Sequence, residues 1–188
     1  MKKVVVMFVS LFVLIFGVYA QHLKFKGIEI TGTLDNVVKE LKAMGYELEA
    51  IESDAAMLSG EFAGEDCDIV VYSTPISKQV YTILVSYEEE DSWYSLKADY
   101  LKFKRMFREK YNVIPKSTEE FHSPYYEGDG YEMQALRMSK CFYFSNFNVE
   151  NGTIKVVILK DHVVLAYIDG FGDSLNEREK ETNSFNDL

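Results

Sequence analysis

Histidine is scarce in this chain, and the three present, His22, His122 and His162, fall in three separate segments with no His-x-His or His-Glu-x-x-His spacing. A zinc site draws three or four converging ligands, so a set this dispersed, with two cysteines to add, argues against one. No Gly-x-Ser-x-Gly is present, and with it goes the elbow that presents a serine nucleophile. Glycine-rich phosphate loops are missing as well. Acidic residues cluster at Glu65/Asp66/Asp68, at Glu127/Asp129/Glu132 and at Asp169/Asp173, but none of these has the spacing of a calcium-binding loop. Basic patches are lacking: 20 Lys and Arg stand against 30 Asp and Glu, a formal charge of −10. That balance opposes nucleic acid and anionic membrane surfaces, both polyanions. The expectation is a protein with no metal and no cofactor.

The N-terminus has the layout of a secretory leader. Lys2 and Lys3 precede an apolar run from Val4 to Val18, relieved only by Ser10 and Gly17, and Val18-Tyr19-Ala20 puts modest side chains at −3 and −1 of a cut before Gln21. The run is shorter than the roughly 20 residues of a membrane-spanning helix, and no cysteine follows it to carry a lipid. The expectation is cleavage after residue 20, release to the periplasm or outside the cell, and no stable membrane insertion afterwards. Loss of the leader removes two lysines and no acid, taking the formal charge to −12. In such a compartment an even cysteine count suggests a bridge, so Cys67 and Cys141 are expected to pair.

Hydrophobic periodicity divides the remainder into one α+β domain over 21–170 and a polar tail over 171–188. Leu23 to Ile30 reads as a strand. Thr33 then caps a helix whose Leu34, Val37, Val38, Leu41 and Met44 share one face and which Gly45 ends. Strands are expected at Tyr46–Glu49, Met57–Ala63, Cys67–Ser73 and Val80–Tyr87, with links short enough for antiparallel hairpins. A long helix from about Ser92 to Tyr111 carries Trp93, Leu96, Tyr100, Phe103, Phe107 and Tyr111 at spacings of three and four. Residues 112–129 read as an irregular link, 131–138 as a short helix or irregular strand, and Cys141–Asn148, Thr153–Lys160 and His162–Ile168 as closing strands, with Asn151-Gly152 a hairpin turn. The expected fold is an antiparallel or mixed sheet of seven to eight strands with two main helices on one face, organised as two α-plus-meander units.

Three segments carry a resemblance. Leu58-Ser59-Gly60-Glu61-Phe62-Ala63-Gly64, Ser92-Trp93-Tyr94-Ser95-Leu96-Lys97 and Tyr125-Tyr126-Glu127-Gly128-Asp129-Gly130-Tyr131-Glu132 are similar to stretches of a group of small exported proteins of gut Bacteroidetes. The doubled topology resembles β-lactamase-inhibitor-protein-like and outer-membrane-assembly-lipoprotein-like modules. These resemblances imply export and an α+β binding fold and assign no site residue. Tyrosine and phenylalanine number 13 each, and exposed Tyr beside acid suits a partly basic protein or peptide. Tyr125, Tyr126, Glu127, Asp129 and Tyr131 are therefore the expected contact residues of a non-enzymatic module that binds an envelope protein or peptide. A small periplasmic hydrolase, its site assembled only in three dimensions, is the alternative.

Overall fold

The computed structural model describes residues 21–186; the leader expected at Met1–Ala20 lies outside them. The domain opens with two short strands, β1 (Lys24–Phe25) and β2 (Ile28–Glu29), turned at Lys26 and Gly27 with φ of 49° and 92°. One continuous strand was expected over Leu23–Ile30. The two-residue turn explains why Phe25 and Ile28, three apart, both point into the core. Helix α1 (Leu34–Ala43) follows, with the Thr33 hydroxyl accepting the Asn36 N–H as its N-cap. Gly45 ends the segment at φ 96°, a conformation that disfavours any residue with a Cβ.

Four strands then run back and forth: β3 (Glu47–Ile51), β4 (Ala55–Phe62), β5 (Glu65–Ser73) and β6 (Val80–Tyr87). Helix α2 (Trp93–Tyr111) begins the second half, followed by β7 (Lys116–Phe121), α3 (Glu132–Arg137), β8 (Cys141–Val149), β9 (Gly152–Leu159) and β10 (His162–Asp169). The strands form one antiparallel sheet in the order β3-β4-β5-β6-β10-β9-β8-β7. Each half is thus a helix followed by a four-stranded meander, and the last strands of the two meanders meet at the centre. This is the α+β architecture, with doubled α-plus-meander units, that the element order implies.

Both main helices cover the same face. Alternation and register place Leu58, Ile69, Val85, Leu165, Val156 and Ser145 on it in one row across six strands. Leu96, Tyr100, Phe103 and Phe107 of α2 are buried there. Phe103 stacks on Tyr87 with centroids 4.6 Å apart, and Phe107 meets Phe147 and Tyr167 edge-on. Burying side chains of this size contributes roughly 2–3 kcal/mol each. Tyr100 Oη lies 2.6 Å from Ser145 Oγ, which is also 2.7 Å from Ser117 Oγ.

Two further segments differ from expectation. Strand β7 lies inside the link read as irregular. It is an edge strand of sequence KSTEEF, and polar contacts replace the apolar alternation that would have marked it: Tyr100 donates to Glu119 (2.8 Å), and Lys104 pairs with the same carboxylate. The C-terminal stretch read as a polar tail is helix α4 (Gly170–Asn186). Its inward positions are Gly172, Asn176 and Glu179, all buried, so it has no apolar stripe. Glu179 accepts the N–H groups of Ile76 (2.7 Å) and Ser77 (3.0 Å) in the β5–β6 turn, and a Cβ on Gly172 would come within 2.7 Å of Tyr81. No described helix is long and apolar enough to cross a membrane.

Candidate functional site

The loop holding Tyr125–Tyr131 sits at one end of the sheet, beside the start of α2. Tyr126 and Tyr131 are exposed, as the binding reading requires, whereas Tyr125 packs on the core and accepts a hydrogen bond from Gln134 Nε2 (3.1 Å). The acidic members are engaged by the loop itself. Asp129 accepts the N–H of Tyr126 (3.0 Å) and of Tyr131 (2.7 Å), and Glu132 accepts that of Gly128 (2.7 Å). Glu127 pairs with Lys97 and accepts from Trp93 Nε1 and Tyr143 Oη at 3.3 Å each. Its carboxyl is held below the ordinary range, chiefly by the hydrogen bond from Lys97. These carboxylates fasten the loop. The loop does form one wall of a shallow groove of about 490 Å³ with Trp93, Tyr94, Tyr131 and Met133. Tyr94, 83% exposed, is a contact candidate that the helical stripe of α2 concealed because it points away from the core.

A second hollow, of about 410 Å³, opens on the other flank of α2, between Glu65, Asp66, Glu88, Glu90 and Asp99. Glu65 pairs with Lys102; the other four have no cation within 4 Å among the described residues. Burial, and then Glu65 and Glu90, raise the Asp99 carboxyl above its usual value. Its remaining lining is Gly64, Tyr87 and Val163, with the Tyr87 hydroxyl donating to the Phe62 carbonyl (3.4 Å). Among the described residues no three His, Cys, Asp or Glu side chains converge as a metal ion requires. His22 is mostly covered, and its Nδ1 lies 3.0 Å from the fully buried Asp169. That carboxylate also accepts the N–H of Leu23 (2.8 Å) and of Gly172 (2.9 Å), so it ties the N-terminal segment to the first turn of α4.

Cys67 and Cys141 are free and buried. They lie on β5 and β8, with β6, β10 and β9 between them. Four interstrand steps put them about 19 Å apart, well beyond the roughly 7 Å between Cα atoms that a bridge tolerates. The expected disulfide is therefore not formed. Burial, reinforced by Asp68, pushes the Cys67 thiol up to about 11, and burial with Glu127 and Glu132 pushes Cys141 up to about 12. Because the thiolate is the reactive form, neither should react with a maleimide at neutral pH in the native protein, while both should in denaturant. Fast labelling of either native thiol would contradict this placement.

The opposite face of the sheet is the largest feature that single strands could not announce. Met57, Val70 and Leu84 follow one another across β4, β5 and β6 on the side away from α1 and α2, as do Val164, Val157 and Phe144 across β10, β9 and β8; between the two rows the register steps by two residues, since Leu84 faces Ala166 and Val164 faces Ser86. All six are half-buried or exposed, and none belongs to the core cluster or packs against it. Leu159, 52% exposed, and Phe142 extend the stripe on β9 and β8. Helix α4 contacts β6, β10 and β9; Thr82 and Ala166 of this face are buried, while the stripe itself stays accessible. No known protein family, curated protein or solved structure matches the chain.

Proposed function

We propose that this protein is an exported, non-enzymatic binding module that captures a protein or peptide of the cell envelope on the uncovered face of its sheet. One observation carries the reading: the apolar stripe from Met57 to Phe144 lies outside the core that α1 and α2 close. Natural sheets that face water on one side alternate apolar and polar residues. Here β5, β6, β9 and β10 carry Val70, Leu84, Val157 and Val164 outward among polar neighbours such as Asp68, Ser86 and Lys155, apolar side chains that a partner could cover. The leader-like N-terminus supports export, and the resemblance to exported binding modules points the same way. The alternative is a small hydrolase, which would draw on the carboxylates of the acidic hollow as its acid and base.

The test is site-specific photo-crosslinking in the intact envelope. A photoreactive residue at Val164 or Val157 should give a discrete adduct, and one at the exposed Leu101 of α2 should give none. Adducts confined to Tyr94 or Tyr126 would move the site to the groove beside α2 and refute the sheet-face reading. The same recovered protein should begin at Gln21; a chain retaining Met1 would refute export with cleavage.

A further inference from the structure

The charge around the stripe is lopsided. Register places Glu47, Glu61, Asp66 and Asp68 on the same face as the stripe, all at its β3–β5 end. None of the four has a cation within 4 Å among the described residues. Where the stripe meets Asp68 it opens into a hollow of about 380 Å³ lined by Ser59, Asp66, Asp68, Ser86 and Glu88. The β7–β9 end carries Lys116 and Lys155, with Glu120 reducing their charge. A second copy laid face to face could match its lysines to these acids only in part, and two chains of net charge −10 would approach against their own repulsion.

Size and backbone chemistry narrow the occupant further. Six strands are crossed by five interstrand steps, with a two-residue step between Leu84 and Val164, so the stepped stripe is about 25 Å long. A helix of about 16 residues has that length. An extended segment would bring unpaired N–H and C=O groups onto a face that offers side chains and no free backbone partners. A helix satisfies its own. Resting on the sheet-face reading above, we infer that the occupant is a cationic amphipathic helix, its apolar side on the stripe and Lys or Arg side chains reaching the acidic hollow.

The probe is a synthetic Leu/Lys peptide of about 16 residues with its leucines at helical spacing, compared with a Leu/Glu peptide of the same pattern by fluorescence anisotropy. The Leu/Lys peptide should bind and become helical, and added salt should weaken it. Asp66→Lys with Asp68→Lys should weaken it by about tenfold or more, a loss of the size expected when charge attraction becomes repulsion. Val164→Glu and, separately, Val157→Lys should remove binding while circular dichroism and melting temperature stay those of the wild type; whichever of the two folds normally is read. Equal binding of both peptides, or indifference to Asp66→Lys and Asp68→Lys, overturns the cationic partner but leaves the surface standing. Indifference to both stripe variants overturns the surface itself. Concentration-dependent dimers that Val164→Glu abolishes would assign the face to a second copy and overturn the peptide.

Discussion

Asp169→Ala should cost about 3 kcal/mol, because it strips the acceptor from buried N–H groups on two separate segments. The wild-type carboxylate is fully buried and receives Leu23 N–H, Gly172 N–H and His22 Nδ1 within 3.0 Å. Gly172 is three residues on, so the Asp169 side chain also does for α4 what an N-cap does for any helix. The loss should therefore be local as well as global. Hydrogen exchange should accelerate at residues 22–30 and throughout α4 more than in β4 or β5. Asp169→Asn, which keeps one acceptor oxygen, should retain part of the stability. A melting transition within about 0.5 kcal/mol of wild type, the range of an ordinary surface substitution, would show that the two segments are held by something else.

Tyr167→Ala should be at least as damaging, at about 4 kcal/mol, the range for deleting a buried ring. Tyr167 is 2% exposed, and its ring meets Phe25 (5.1 Å), Phe62 (6.3 Å) and Phe107 (5.8 Å) edge-on. Those three rings belong to the β1–β2 hairpin, the β4–β5 end and α2, so one cavity would loosen every layer that closes the face. Its hydroxyl makes no hydrogen bond among the described residues, so Tyr167→Phe should change stability by less than about 1 kcal/mol. Denaturant titration checks both. Equal losses for Ala and Phe would mean that the hydroxyl, and not the ring packing, supports the fold.

Elements whose own residues carry the signal were readable from the sequence. Thr33 and Gly45 bound α1 because capping and positive φ are local requirements. The Leu96, Tyr100, Phe103 and Phe107 stripe declares α2 because one helix face meets one apolar layer. The segments that escaped are stabilised by partners distant in sequence. Strand β7 is recognised by pairing with β8 and by Glu119 meeting Tyr100 and Lys104, none of which shows as alternation. Helix α4 turns Gly172, Asn176 and Glu179 inward and docks on a turn about a hundred residues earlier, so its pattern is that of a solvated tail. The even cysteine count misled because a bridge depends on strand order, and three strands intervene between β5 and β8.

The outward apolar residues were hidden for a related reason. Ile69-Val70-Val71 on β5 and Val163-Val164-Leu165 on β10 read as fully buried runs. Only the placement of α1 and α2 on one face, with α4 covering just Thr82 and Ala166 of the other, leaves Val70 and Val164 half-exposed. The tyrosine loop drew attention because its composition is unusual, yet the donors that engage Glu127 and Asp129 come mostly from neighbouring backbone and from α2, and each uses an acceptor that a partner would need.

The central claim is that the uncovered face, and not the loop end, is where this protein meets its partner. The most direct measurement is an amide chemical-shift map of the isotopically labelled domain titrated with the Leu/Lys peptide. The account predicts perturbations running through Val70, Leu84, Val164, Val157 and Phe144, continuing to Asp66 and Asp68, with Tyr94, Tyr126 and Tyr131 unmoved. Shifts concentrated at those three tyrosines with a silent sheet face would contradict it.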